Sequence, residues 1–435
     1  MGFFASARFK MAVPQGITGI DGAVIFPAGV PEPTLVRRDW KKLLKKYPHL
    51  QRRLFDPQLY LASLNGATCR KACVNLASYG WFGGAAIEAY DSSKITQAEW
   101  RTKVLSKIHS QWKGDAPTGQ RGIQGSINVS IATQIVMGCE AIILPSPLTS
   151  DPTTDYSTEL GWLDEGLALA SKVGQGLPKL ATIALSDTCV RGTDPWTNAL
   201  LDLILDQVTA RPVDGAYLVL EQANEHGYYC SHPNTVGALL RLSYGLKSAG
   251  VPRVFVAFAG VAGLLAVCAG ADDWTTGWYR GERRLRLADF EQPQGRANPT
   301  YYSHPLASEF HLQADLDRVV AANFLPRISD QTSASQGLLR ALAAGRKVST
   351  VPDWQYSQSN VSAAIDHFLS ALSRESRAVA ALSAAGRLSY GKQWLDGAAT
   401  LASDLYSLGG FHPRTELDHQ QGWLTAYDKF AAASK

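Results

Sequence analysis

The chain of 435 residues has few of the features that assign a function class directly. It has no bias toward charge of one sign: 42 Lys and Arg against 38 Asp and Glu leave a formal charge of +4. That balance permits contact with nucleic acid without calling for it. Cysteine is sparse, with six residues scattered at 69, 73, 139, 189, 230 and 268. Such spacing makes no disulfide framework and fits reduced thiols in a cytoplasmic protein. The opening MGFFASARFK contains no continuous apolar core of the secretory kind. No Gly-x-Gly-x-x-Gly follows a strand-like run, and no Gly-Lys-Ser or Gly-Lys-Thr phosphate loop occurs. The dinucleotide and P-loop versions of an open α/β sheet are therefore unsupported. No internal repeat is present. An apolar fraction of 46% with 18% charged residues excludes a disordered chain, and the length asks for two or three folding units.

Long apolar runs are scarce too, with one exception. Val254 to Ala271 read VFVAFAGVAGLLAVCAGA, eighteen positions without a charge, stopped by Asp272 and Asp273. Length alone would admit a membrane span, but the texture points elsewhere. Gly250-Val251-Pro252 is a turn signal, Val and Phe alternate with Ala up to Ala259-Gly260, and Val261 to Ala269 favours a short helix. Gly270 then sits at a C-cap position and the chain resumes as a strand. Strand, Gly turn, buried helix and next strand form one βαβ unit of a parallel sheet, whose strands run apolar because both faces are covered. No membrane contact is expected.

The same alternation runs through the middle of the chain. Strands are predicted at Leu59–Leu64, Ala141–Leu144, Leu180–Leu185, Ala216–Leu220, Val254–Phe258 and Trp274–Trp278. Helices are predicted at Cys69–Tyr79, Gln97–Trp112, Thr158–Val173, Thr197–Val208 and Thr235–Ala249. This order means parallel strands with right-handed crossovers. With Ile17–Phe26 or Lys347–Val351 supplying the missing strands, the fold class is α/β and the sheet closes into a TIM-type (β/α) barrel. Beyond residue 310, Ala-rich segments at 313–323, 335–345, 360–383, 391–407 and 419–432 carry helical periodicity. The expected division is an N-terminal segment 1–55, a barrel 56–310 and a C-terminal helical extension 311–435 that can include the last barrel elements. Arg280–Phe310 reads as a long loop over the barrel mouth, and the extension offers a surface for a protein partner.

In parallel barrels, ligands sit beyond the C-terminal ends of the strands. That rule nominates Asn65 and the Cys69/Cys73 pair, then Ser146, Thr149 and Asp151, then Ser186, Asp187 and Arg191. Glu221, Asn224 and His226 follow the fourth predicted strand, Gly260 the fifth, and Tyr279 and Arg280 the sixth. Glu221 ends an apolar run, where a half-buried carboxyl has a raised pKa and can act as general acid or base. Asp187 is its candidate partner, although both acids equally suit helix capping or pairing with Arg191 or Arg280. Asn65, Ser146, Asp151, Arg191, Asn224, Gly260, Arg280 and Arg284 are the candidate substrate contacts. His226, Cys230 and His232 lie within seven residues, but one loop cannot easily aim three ligands at one ion, so no metal is assigned. No cofactor is identified. Cys69 and Cys73 fall i,i+4 on a helix and pack as small core residues. An iron–sulfur reading fails because its third position is Leu76.

Positive charge gathers in two places. Arg37–Arg53 holds Arg37, Arg38, Lys41, Lys42, Lys45, Lys46, Arg52 and Arg53 against the single acid Asp39, with Trp40, Leu43, Leu44 and Tyr47 on one helical stripe. This is a basic amphipathic helix ending before Pro48. Lys41, Lys42, Lys45 and Lys46 are its candidate phosphate contacts with nucleic acid; a solvated surface helix docked by its apolar stripe is the alternative. Arg280, Arg283, Arg284 and Arg286 form the second cluster, near the barrel mouth.

Four pieces of the second half follow a familiar order: Val213-Asp214-Gly215-Ala216-Tyr217, then Gly250-Val251-Pro252-Arg253-Val254-Phe255, then Ala259-Gly260, then Leu264 to Asp272. Together they resemble the late barrel strands of the tRNA-guanine transglycosylase family. The resemblance implies a TIM barrel that exchanges a nucleobase in tRNA, or in DNA for some relatives. The chain departs from that family at two points. The nucleophilic Asp would fall near Thr275, and no Cys-x-Cys-x-x-Cys zinc signature follows Arg280. Catalytic roles are therefore not carried over. The expectation is a barrel acting on an anionic nucleotide or nucleic-acid substrate, by hydrolysis or transfer at a sugar or base centre. Its rivals are a non-catalytic scaffold or recognition subunit and a sugar-directed hydrolase. An enzyme requires acids converging on a concave mouth, a scaffold a plugged one, and a neutral-sugar hydrolase a Trp-lined cleft with paired carboxylates.

Overall fold

The computed structural model describes residues 2–7, 19–29, 52–65, 68–77, 79–82, 120–223, 227–277, 280–291, 299–357 and 361–434. Eight parallel strands form one sheet: β1 (Gly2–Ala7), β2 (Gly22–Ile25), β3 (Arg52–Phe55), β4 (Ile142–Leu144), β5 (Lys179–Leu185), β6 (Gly215–Leu220), β7 (Val254–Ala257) and β8 (Asp273–Thr276). Their spatial order is β3-β2-β1-β8-β7-β6-β5-β4. The two end strands approach each other, and the Glu140 N–H, just before β4, donates to the Arg53 carbonyl at 2.9 Å. The sheet is thus a nearly closed barrel of the TIM type, as the strand–helix alternation predicts.

Helices alternate with the strands: α1 (Arg70–Ala77), α2 (Gln120–Val136), α3 (Ser157–Val173), α4 (Ala199–Thr209), α5 (Pro233–Ser248) and α6 (Gly263–Cys268). Local chemistry sets their bounds. Asn198 caps α4 by accepting from the N–H groups of Leu200 and Leu201, satisfying donors the first helical turn leaves open. Gly270, at φ +110°, turns the chain out of α6 into β8, a conformation that side chains with a Cβ disfavour. A Cβ at Gly263 would lie 2.0 Å from the Trp274 ring, so only glycine lets α6 pack this closely on β8. The apolar run 254–271 is therefore a strand, a turn and a buried helix. Among the described residues no helix is long and apolar enough to cross a membrane.

The sequence reading misplaces the start of the barrel. Leu59–Leu64 is not a strand. Gln58 takes a positive φ of 53°, its N–H bonds to the Asp56 carboxylate at 2.9 Å, and Leu59–Leu61 turns as a 3-10 helix; the Asp side chain competes with an extended backbone there. Lys347–Val351 is likewise a 3-10 turn, at Val348–Thr350. The missing strands lie in residues 2–55: β1, β2 within the predicted Ile17–Phe26, and β3. Arg52 and Arg53 belong to β3 rather than to the end of a basic helix. Lys41, Lys42, Lys45, Lys46 and the helix predicted at Gln97–Trp112 lie outside the described residues.

Strand alternation assigns the two faces. Phe4, Tyr217 and Phe255 meet inside the barrel, with ring centroids 5.0 Å apart for Phe4–Phe255 and 5.3 Å for Tyr217–Phe255. Phe3 and Trp274 face outward and meet at 4.6 Å. At the N-terminal end, Arg52 donates to Glu140 and Asp273 at 3.0–3.1 Å, and Arg253 to the same two carboxylates at 2.6 Å. Burial works against the Arg52 charge, but these bonds outweigh it and hold the guanidinium above its ordinary pKa.

After β8 come the antiparallel hairpin β9 (Thr300–Ser303)/β10 (Ser308–His311) and helices α7 (Ala314–Ala321), α8 (Leu325–Ile328), α9 (Gln336–Ala343), α10 (Ser362–Ala380), α11 (Ala384–Leu408) and α12 (His419–Ala433). This extension is not a detached unit. The Trp274 indole N–H donates to Ser376 of α10 at 3.1 Å, and Phe430 of α12 packs on Trp196 and Tyr244. Phe368, Trp394, Trp423 and Phe430 share one buried core with the barrel. A second core gathers Tyr301, Phe310, Leu316, Leu338, Trp354 and Leu405 around the hairpin.

Candidate anion site at the barrel mouth

Beyond the C-terminal ends of β6 and β7, a short segment crosses the mouth. Leu285 bridges Glu221 in parallel and Arg284 bridges Ala259 in antiparallel fashion, with the Gln222 N–H donating to the Leu285 carbonyl at 2.8 Å. Phe258 and Gly260, at φ 53° and +55°, bend the chain away from β7 and leave room for the crossing. The segment carries two consecutive arginines into the interior, Arg283 at 8% and Arg284 at 4% exposure.

Their environments differ. Arg283 donates to Glu309 of β10 at 2.6 Å and lies 3.4 Å from the centroid of the Phe368 ring. Glu309 also accepts from Tyr229 at 3.0 Å and Thr300 at 2.6 Å. Arg283 thus forms a close buried ion pair, with its Nε unpartnered among the described residues. Arg284 gives Nη2 to the Gly227 carbonyl at 2.6 Å, and its Nε stands 3.9 Å from the Asp289 carboxylate. Its Nε and Nη1 have no hydrogen-bond partner among the described residues. Burial pulls this guanidinium below its ordinary pKa and the distant acids only partly offset that; it remains a cation, as arginine does. Both arginines line a small pocket with Gln222, Tyr228, Cys230, Gly260 and Trp423.

Of the residues nominated from sequence, Gly260, Cys230, Arg283 and Arg284 meet in this pocket. Glu221 and Asp187 are neighbours, since Glu221 accepts from Ser186 Oγ at 2.7 Å and from the Asp187 N–H at 3.3 Å. The Asp187 carboxylate is otherwise engaged: it accepts from Thr235 at 2.7 Å and pairs with Arg191 at 3.6 Å. Asp187 is thus occupied by Thr235 and Arg191, and the two acids do not face one another as a free pair. Ser146 is buried and donates to the Pro147 carbonyl; Thr149 donates to Glu159. Asp151 is exposed and caps its own turn through Thr153, whose bonds lower its pKa. The Asn65 carbonyl accepts from the Cys69 N–H at the start of α1. Arg286 pairs with Asp289 at 3.3 Å. Asn224, His226, Tyr279 and the Arg280 side chain lie outside the described residues.

His232 caps α5 by accepting the Asn234 N–H, and burial lowers its pKa. Burial pushes the Cys230 thiol up to about 12, too high for a thiolate nucleophile near neutrality. Cys69 and Cys73 are buried and unlinked. No group of three or more His, Cys, Asp or Glu able to hold a metal occurs among the described residues.

Sequence reasoning missed the contributions of Glu309, Glu416 and Trp423, which reach the mouth from the extension, and it missed Asp56. Asp56, at the end of β3, is 1% exposed and accepts from Tyr60 at 2.5 Å and Tyr217 at 3.0 Å. Burial pushes this carboxyl up to about 6 despite those bonds. No protein-family model matches the chain, and a search of curated proteins returns no relative.

Proposed function

We propose that this protein binds an oxyanion, the phosphate of a nucleotide or nucleic-acid substrate, at the mouth between β6 and β7, with Arg284 as the anchoring contact. One observation carries the proposal: a guanidinium 4% exposed presents Nε and Nη1 with no hydrogen-bond partner among the described residues, at the barrel end where ligands bind. A buried N–H left unpaired costs about 1–3 kcal/mol, and more when charged. An oxyanion accepting from these groups makes short charge-assisted bonds and recovers that cost. Tyr228, half-buried, lines the same pocket, and an aromatic ring at a mouth can meet a base or sugar. Glu221, next in the chain to the lining Gln222, is the acid–base candidate for transglycosylase-like hydrolysis or transfer at the sugar–base bond. Lys41, Lys42, Lys45 and Lys46 would extend the contact along a longer nucleic acid.

Calorimetric titration of wild type and Arg284→Met with inorganic phosphate, acetate, nucleoside 5′-monophosphates and short RNA or DNA tests this. Phosphate-bearing probes should bind wild type and lose about a hundredfold in affinity, near 2.7 kcal/mol, in the variant. Equal binding by both proteins would overturn the proposal. A non-catalytic barrel is the second reading. It is supported by the crossing of 283–285 over the mouth and by an enclosed space that admits little more than one water, and it requires that none of these probes bind.

A further inference from the structure

The Arg284 site is completed from outside the barrel. The Glu416 carboxylate, 9% exposed, accepts the Tyr228 N–H at 2.5 Å and the Tyr229 N–H at 3.0 Å. The first of these N–H groups shares its peptide with the Gly227 carbonyl, the acceptor for Arg284 Nη2 at 2.6 Å. Gly227 stands at φ +86°, and a Cβ there would come within 2.5 Å of the Glu416 carboxylate. The turn is thus shaped to let that acid reach two successive N–H groups. Glu416 is itself fixed: its carbonyl accepts from Ser308 of β10 at 2.8 Å, and the neighbouring Thr415 Oγ1 donates to the Asp315 carboxylate and accepts the His311 N–H of the hairpin at 3.1 Å. Trp423 adds a bond to the Cys230 carbonyl at 2.5 Å. The chain of contacts runs from the hairpin to Glu416, through the 227–229 turn, to the Arg284 guanidinium.

We infer that Glu416 is a positioning residue for anion binding: by holding the 227–229 turn it fixes the carbonyl that aims Arg284, so that Nε and Nη1 face the ligand. This rests on the anion site proposed above. An Arg fork must be oriented before it can engage an oxyanion with two parallel bonds. If the turn were loose, the guanidinium would have to be ordered by the ligand, and affinity would fall by the cost of that ordering.

The test compares inorganic phosphate affinity in four proteins. Glu416→Gln replaces one of the two carboxylate acceptors with an NH₂ group and should weaken phosphate binding about tenfold. Glu416→Asp keeps the charge on a shorter stem, should recover part of the affinity, and serves if the Gln variant does not fold. Ser376→Ala removes the acceptor of the Trp274 indole N–H on the outer face of the barrel, so it costs stability without touching Glu416 or the 227–229 turn, and its phosphate affinity should equal that of wild type. An unchanged affinity in Glu416→Gln, or an equal loss in Ser376→Ala, would overturn the inference while the Arg284→Met result leaves the anion site standing. Absence of phosphate binding by wild type would remove both.

Discussion

The two ends of this barrel handle arginine in opposite ways. At the N-terminal end, Arg52 and Arg253 share Glu140 and Asp273 with all contacts at 2.6–3.1 Å. Two cations meet two anions, and the network draws β3 and β8 together with the segments that lead into β4 and β7. At the mouth, Arg284 is more deeply buried than Arg52, yet the carboxylate paired with it stands 3.9 Å away. The first arrangement is complete without any other molecule. The second leaves buried donors unmet, which a purely structural role would have avoided by an apolar side chain of similar size. The difference separates a stabilising network from a site, and it follows the general division of barrels into a stability face and a functional face.

The largest effect should come from breaking the complete end. Asp273→Ala leaves two arginines facing each other beside a single acid, and denaturant unfolding should show a loss of about 3–5 kcal/mol. A loss below about 1 kcal/mol would mean that the network is solvent-screened and that the contrast between the ends is weaker than its geometry.

A second test uses pH. Asp56 is held by two phenols and one N–H rather than by a cation, and its folded pKa of about 6 lies above its ordinary 3.8. Between about pH 4 and 6 the folded protein keeps a proton that the unfolded chain has lost, so this group lowers stability as pH rises through that window. His419, buried and pulled from 6.5 to about 4, works in the opposite sense: its contribution falls as pH drops from 6.5 toward 4. The two partly cancel in wild type, so the quantity to measure is the difference from Asp56→Asn. That difference should grow by up to about 3 kcal/mol between pH 4 and 6; a flat difference would show Asp56 ionised throughout.

Asn198→Ala removes two cap bonds from α4 and one bond to the Cys189 carbonyl, and should cost about 1 kcal/mol, giving the scale of an ordinary local loss. The smallest change in stability should follow Arg284→Met. Removing a poorly matched buried cation should leave the thermal midpoint where it is or raise it, whereas a clear fall would place Arg284 among the structural arginines.

The barrel was legible where burial on both faces makes the strands apolar: β4 to β8 stand out as runs such as Leu180–Leu185 and Val254–Ala257. It was illegible at β1 and β3. Gly2–Ala7 reads GFFASA, with no β-branched residue to mark a strand, and Arg52-Arg53-Leu54-Phe55 looks like the tail of a basic helix because Arg52 is matched by Glu140 and Asp273, 88 and 221 positions away. The candidate site divides the same way. Gly260 and Arg284 are reachable from the rule that ligands sit beyond strand ends. Glu309 and Glu416 carry no local mark, because their meaning comes from the turn and the arginine they meet across the fold. Glu221 and Asp187 were legible as mouth acids, but Thr235 and Arg191, which occupy Asp187, could be placed there only by the structure.

The most direct test of the central claim is the thermal midpoint of wild type and Arg284→Met across a phosphate series at constant ionic strength. A ligand that binds only the folded state stabilises it by an increment that grows with the logarithm of its concentration. The wild-type midpoint should climb with phosphate and the variant's should stay level. Parallel curves for the two proteins would contradict the account and return Arg284 to the core.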